Sequence, residues 1–284
     1  LRALLAAGRL SGIVCDFAAS RDFLEKGLEI ARAHNARNFE GDLLNSRALI
    51  LIDQDRDEEA REYLEQALAI KRETGDTWGQ AAALTNIGIT CMDLGQNAGA
   101  RELWREAVAM FEQVGDDRAL GVLTNNLGLG ELVEGNLEEA ERLIRLSLHA
   151  QERLGNRSGT ALSGSNLGRI LWKKGDIEEG LRHFRVALHS FKLLGDRLMC
   201  LTLCNDLGAV ASSAGKHREA ARIISGSRKL YSEYQASPSR VLQGETEAAL
   251  QDAENALGPQ AFAREIAEGE KLDFDDLLEL SMTF

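Results

Sequence analysis

Shifted against itself by forty residues, this chain matches over most of its length. Asn86-Ile87-Gly88, Asn126-Leu127-Gly128, Asn166-Leu167-Gly168 and Asp206-Leu207-Gly208 share one register. Gly95, Gly135, Gly175 and Gly215 share a second, and Ala60, Ala100, Ala140, Gly180 and Ala220 a third. The copies close at Gly75-Asp76, Gly115-Asp116, Gly155-Asn156 and Gly195-Asp196. A repeat of this length is one supersecondary unit that cannot bury its apolar face alone, so copies must stack into a solenoid.

Within each copy the apolar residues recur at three-to-four spacing on both sides of a glycine turn, which predicts two helices, A and B. Copies 81–120, 121–160 and 161–200 are the clearest, with helix A running about fourteen residues to the glycine turn. Copy 41–80 turns at Asp53-Gln54-Asp55-Arg56-Asp57, and copy 1–40 is degenerate, with Cys15-Asp16 near the missing glycine. A sixth copy covers 201–235. Glycine inside a helix costs about 1 kcal/mol, so Gly88, Gly128, Gly168 and Gly208 imply close approach of helix A to helix B. Trp104, Ile144, Phe184 and Ile224 are expected to fill the wedge between hairpins. Residues 236–284 leave the repeat and read as a helical cap: helices over 241–257, 261–269 and 274–280, with Asp273 capping the last. Gly226 stands where other copies carry a bulkier residue.

The only prolines, Pro238 and Pro259, fall after the sixth copy, so long helices are unobstructed before them. A net charge of -12 lacks a basic footprint, and direct nucleic-acid binding by this segment is not expected. No apolar run reaches membrane-spanning length, so no membrane partner is expected. Cys15, Cys91, Cys200 and Cys204 form neither a disulfide framework nor a metal set and read as small apolar residues, in keeping with a cytoplasmic location. The five histidines are scattered, no nucleophile is set beside a base, and Gly215-Lys216 lacks the upstream glycine of a phosphate loop. The expectation is therefore no catalysis, no metal and no cofactor.

Leu84, Ile87, Gly88, Ala100, Trp104 and Ala107 in one copy carry a pattern that resembles the tetratricopeptide repeat, as do Leu127, Gly128, Ala140 and Ile144, then Leu167, Gly168, Phe184 and Ala187. The forty-residue period departs from the usual thirty-four and resembles the longer Asn-Leu-Gly variant. The resemblance covers residues 1–235 and implies an all-α, α-α superhelix of six hairpins. The stretch Ala256-Leu257-Gly258-Pro259-Gln260-Ala261-Phe262, with Glu268-Gly269-Glu270 and Leu272-Asp273-Phe274 after it, resembles the closing motif of large bacterial signal-transducing ATPase transcriptional regulators of LuxR or antibiotic-regulatory type. The Trp and Arg of their usual ending are missing here. A chain starting at Leu1 reads as a segment of such a protein.

The resemblance places Asn86, Asn126, Asn166 and Asp206 on the concave face, where amides offer donors and an acceptor to the backbone of an extended peptide. Ordering of the stack by those same amides is the alternative use. Arg169, Trp172 and Lys173 follow Asn166 on one helix face. They could supply a platform and two cations to an acidic partner, or form an internally paired face. Trp78 reads as a loop residue packing on the next helix A, and the acidic run 265–279 as a solvated tail. The expected function is a sensor segment binding a peptide, protein or effector in the groove and contacting an upstream domain. A free-standing adaptor for extended peptides is the alternative.

Overall fold

The computed structural model describes residues 1–238 and 240–283, and all of their regular structure is helical. The chain forms two compact units, Leu1–Leu154 and Gly155–Phe284. The first contains four hairpins: α1 (Arg2–Ile13) with α2 (Phe17–Ala33), α3 (Arg37–Asp53) with α4 (Asp57–Glu73), α5 (Thr77–Asp93) with α6 (Asn97–Val114), and α7 (Asp117–Val133) with α8 (Leu137–Arg153). The second contains α9 (Arg157–Lys173) with α10 (Ile177–Leu194) and α11 (Arg197–Ser213) with α12 (His217–Glu233), then α13 (Arg240–Leu257), α14 (Pro259–Gly269) and α15 (Phe274–Thr283). In each unit the second helix of a hairpin packs on its own first helix and on the first helix of the next. Successive first helices also touch, α1 with α3, α3 with α5, and α9 with α11.

The turns explain why the helices start and stop where they do. In each hairpin the residue two places past the end of the first helix has positive φ: Cys15, Asp55, Gly95, Gly135, Gly175 and Gly215. The turn that closes each hairpin has its own: Asn35, Gly75, Gly115, Gly155, Gly195 and Gln235. The left-handed conformation is thus kept even where glycine is not, and the first repeat is degenerate in residue type but not in geometry. Glycine meets this demand without steric cost. The residue after it then caps the next first helix: Asp76 accepts from the Gly79 N–H at 2.8 Å, Asp116 from Ala119 at 3.0 Å and Asp196 from Met199 at 3.1 Å. Because this cap sits directly against the turn, first helices α5, α7 and α9 run to 17 residues, longer than the fourteen expected. Trp78 accordingly lies in the first turn of α5, not in a loop.

The helical glycines make room, as expected, but mostly for a side chain. A Cβ on Gly88 would stand 2.2 Å from Nε1 of Trp104, and one on Gly208 2.5 Å from Ile224. Trp104 and Ile224 are fully enclosed, each contributing about 1.5–3 kcal/mol by burial. Only at Gly168, where the carbonyl oxygen of Gly180 would lie 2.9 Å from the Cβ, do two helices meet at backbone distance in a hairpin.

The last three helices finish the second unit. Helix α13 packs on α11 and α12, and α14 and α15 pack on α12. Gly226 is small because α14 crosses there: its Cβ would lie 2.9 Å from the carbonyl oxygen of Gly269. Gly269 is tighter still, 2.3 Å from the Arg222 carbonyl oxygen. Asp273 caps α15 through the Asp276 N–H at 2.9 Å. The acidic run is not a solvated tail throughout: Glu265 is buried and accepts from Arg222 Nε at 2.5 Å. Three arginines bear on this stretch of α12 and α14 (Arg218, Arg222 and Arg264), which is why a carboxylate there can leave water.

Candidate functional site

The first helices carry a stripe that the second helices do not cover. On α3, α5 and α7 Leu49, Ile89 and Leu129 share one register, and an amide lies one turn before each: Asn86 and Asn126 in register, and Asn45 one residue ahead of it, where Ser46 holds the position. Helical spacing of three or four places each pair on one face. The stripe therefore has an amide row and, one turn on, an aliphatic row. Leu49 is 36% exposed, and Asn86, Ile89 and Leu129 are half-buried.

The amides are only partly used. Asn86 Nδ2 donates to Asn45 Oδ1 at 3.0 Å, linking α3 to α5. A carboxamide offers two N–H donors and an oxygen acceptor. Asn86 thus keeps its oxygen and one N–H, and Asn45 keeps both of its N–H groups. Asn126 is 9% exposed and its carboxamide has no hydrogen bond among the described residues. Its polar atoms are not closed off from solvent, so water meets the open valences until a partner displaces it.

The corresponding residues of the second unit are arranged differently. Arg169 is 2% exposed and grips Asp206 with both arms: Nη2 donates to Oδ2 at 2.5 Å and Nε to Oδ1 at 3.2 Å. Its Nη1 donates to Asn166 Oδ1 at 2.8 Å. Burial pushes the Asp206 carboxyl up, opposed by the charge and hydrogen bonds of Arg169. Trp172 donates its indole N–H to Ser213 Oγ at 3.0 Å and packs on the core formed by Ala209, Ile224, Ala249 and Leu250. Lys173 is ion-paired with Glu245 of α13. The internally paired face is therefore the arrangement found for Arg169, Trp172 and Lys173; both cations spend their charge on the chain itself. Helix α13 lies over this face, with Ser212 Oγ donating to the Ala249 carbonyl at 3.1 Å.

Two features escaped the sequence reading. Arg9 Nε donates to Ser46 Oγ at 2.9 Å, across the same thirty-seven-residue interval that separates Arg169 from Asp206. An arginine one turn past the amide position thus reaches the next first helix. The signal was a cation in this place in two copies only, each followed by a hydroxyl or carboxylate one repeat later. Asn45 was missed because it stands one residue before the amide register. Trp78 does reach the next first helix: its indole donates to Asp116 Oδ2 at 2.7 Å and its ring meets Phe111 edge-on at 6.1 Å.

Cys91, Cys200 and Cys204 are buried, and burial pushes the Cys204 thiol up to about 12, leaving it protonated at neutral pH. Among the described residues no group of three or more His, Cys, Asp or Glu is placed to hold a metal ion, and no helix is long and apolar enough to cross a membrane.

The tetratricopeptide repeat family matches residues 39–113, which include the α3 and α5 rows of the stripe. No curated protein matches the chain. Among solved structures, NprR in complex with its cognate peptide NprX is similar over 95% of this chain and 77% of its own, at 17% identity and a TM-score of 0.67. Aspartyl phosphate phosphatase F from Bacillus subtilis is similar over 94% and 69%, at 14% identity and 0.64. The Rap conjugation gene regulator of plasmid pLS20, in complex with the Phr* peptide, is similar over 95% and 76%, at 16% identity and 0.63. At these identities the likeness establishes the fold: an all-α array of tetratricopeptide-like helical hairpins.

Proposed function

We propose that this chain is a non-catalytic binding segment of a larger bacterial transcriptional regulator, and that the stripe on α3, α5 and α7 receives an extended peptide or protein segment. The observation that carries the binding role is Asn126, a residue only 9% exposed whose solvent-reaching carboxamide makes no hydrogen bond among the described residues, beside the half-used Asn86 and Asn45. A peptide backbone supplies donors and acceptors in alternation and satisfies such a row whatever its side chains. Two of the similar structures, NprR and the Rap conjugation gene regulator, are complexes with peptides, which is consistent with this use of the fold. The regulator role is supported by the terminal stretch from Ala256 to Asp276, whose resemblance to the closing motif of such proteins is independent of the repeats. In that setting, occupation of the groove in the cytoplasm shifts the segment against an upstream domain.

The test is a peptide-library pull-down with the wild-type chain and with Asn86→Ala plus Asn126→Ala. Asn166 is left in place because it holds Arg169. Loss of at least tenfold in retained peptide by a double mutant with an unchanged circular dichroism spectrum is expected. Equal retention rejects the amide row as the grip. For the regulator role, removing this segment from the parent protein should abolish the dependence of transcription on its signal; unchanged dependence rejects it.

A further inference from the structure

Where α12 meets the start of α14, the second unit has an open cavity of about 870 Å³. Arg218 and Arg222 stand one turn apart on α12, and Gln260 and Arg264 one turn apart on α14, so each helix turns one face to it. Glu265 is the one carboxylate on the lining among the described residues. It is buried and takes the Arg222 Nε at 2.5 Å, with the Arg218 Nε 4.0 Å away. A guanidinium carries five N–H donors. Arg222 spends one of them on Glu265, and neither Arg218 nor Arg264 donates a hydrogen bond to any described residue. The cavity is therefore rich in donors and poor in acceptors.

Its charge has the same sign. Three guanidiniums against one carboxylate leave two positive charges on the lining, in a chain whose net charge is -12. The carboxylates nearest in sequence are not ion-paired with these arginines: Glu219 and Glu254 form no ion pair among the described residues, and Glu268 is paired with Lys271 at 2.8 Å. The start of α14, which no side chain caps, opens on the same cavity and adds to its preference for an anion. Leu257, Pro259 and Ala261 give part of the wall an apolar surface.

We propose that this cavity binds a small phosphate monoester. A phosphoryl group carries a charge of about −1.5 to −2 at neutral pH and three acceptor oxygens, which matches two spare positive charges and a surplus of donors. Guanidinium forks meet phosphate oxygens through paired, parallel N–H···O bonds. Glu265 does not compete with the ligand. By holding the Arg222 Nε it fixes that guanidinium and leaves both Nη groups for the phosphate. Pockets for small ligands measure about 300–1,000 Å³, so the cavity has room for an organic body beside the phosphate, seated on Leu257, Pro259 and Ala261. The site lies in the other unit from the amide stripe and stands or falls without it.

The test is calorimetric titration of the intact chain in phosphate-free buffer. The probes are adenosine monophosphate, phenyl phosphate, inorganic phosphate, adenosine, citrate and a phosphoserine peptide. At least one of the two esters is expected to bind, and adenosine is not. Arg264→Gln and Arg218→Gln remove no hydrogen bond within the chain, and each should weaken ester binding by about tenfold or more. Arg182→Gln, at an exposed arginine of α10, should leave it unchanged. Thermal melting checks that all three variants fold. Neither ester bound, or binding unmoved by both cavity variants, overturns the site. Equal weakening by Arg182→Gln overturns it too, because net charge alone would then account for the binding. Citrate or inorganic phosphate bound as tightly as the esters overturns the ligand class, and tighter binding of the phosphoserine peptide overturns a small-molecule occupant.

Discussion

The two units place the same register position in opposite service. In residues 1–154, Asn86 and Asn126 leave hydrogen-bonding valences open. In residues 155–284, Asn166 and Asp206 are consumed by Arg169, and α13 covers the helix that carries Asp206. One arginine separates the cases. At the position one turn past the amide, α5 and α7 carry Ile89 and Leu129, whereas α9 carries Arg169. A buried guanidinium must be matched by a carboxylate, so the next repeat has Asp206 where α5, α7 and α9 have Asn. The repeat thus fixes where a side chain points, and its neighbour one repeat away decides whether it serves the stack or a partner.

This contrast is broken most directly at that register position. Asp206→Ala leaves Arg169 charged, buried and held only by Asn166, and should cost about 3–5 kcal/mol. The loss is expected in urea unfolding and as lowered amide-exchange protection in α11. Replacing both partners, Arg169→Met with Asp206→Leu, should recover most of it, because the pair's burial then carries no unpaired charge. Asn86→Ala, in the same register of α5, should cost no more than about 1.5 kcal/mol, the worth of one ordinary hydrogen bond, and its main effect should fall on peptide retention. Equal destabilisation by Asp206→Ala and Asn86→Ala would erase the distinction between the units.

Acid distinguishes the units next. For Asp76 burial pushes the carboxyl up, but Lys71 and the Gly79 N–H outweigh it and hold the group below its ordinary value. Asp116 is likewise held low, against its burial, by the Ala119 N–H and the Trp78 indole. Asp196, the equivalent cap in the second unit, is pushed up by burial despite the Met199 N–H. The stabilisation from Asp76 and Asp116 is therefore complete above the ordinary carboxylate value of about 4 and is lost as pH falls through their lower folded values. Asp196 has the opposite sign: its contribution is largest below about 4 and declines as pH rises through its raised folded value. Carboxyl titrations by NMR should put Asp76 and Asp116 below Asp196, and acidification below pH 4 should lower protection in α5 and α7 before α11. Trp78→Phe should cost about 1 kcal/mol and move Asp116 back toward its ordinary value; an unmoved Asp116 would remove the indole from its environment.

The solenoid was legible because its signals are local and repeated. Gly-Asp at Gly75, Gly115 and Gly195 carries both the left-handed residue and the cap, and Gly88 with Trp104 carries the hairpin contact, all within forty residues. The amide row was legible for the same reason. What was hidden depends on residues more than one element away. Glu245 and Ala249, which occupy Lys173 and Ser212, lie outside the repeat, and no period announces them. The burial of Glu265 depends on arginines of α12 some forty residues earlier. Gly226 was visible as an exception, and its cause, the backbone of Gly269, appears only when α14 is laid across it.

The smallest expected effects test what the two units share. Gly75 of the first and Gly195 of the second both have positive φ, at 69° and 73°, and an added Cβ on either would meet nothing within 4 Å. Their cost of substitution is therefore conformational alone. Gly75→Ala and Gly195→Ala should each destabilise by about 1–2 kcal/mol, the penalty for an L-residue in the left-handed region. Gln235 holds the same turn position with an exposed side chain and a φ of 54°. Gln235→Gly relieves the strain and gives back part of it as unfolded-chain entropy, for a net gain of no more than about 1 kcal/mol. Matching losses for Gly75→Ala and Gly195→Ala in urea unfolding, with a gain for Gln235→Gly, would assign the turns to the repeat itself. A loss confined to one unit would show that the turns, like the amide register, answer to their surroundings.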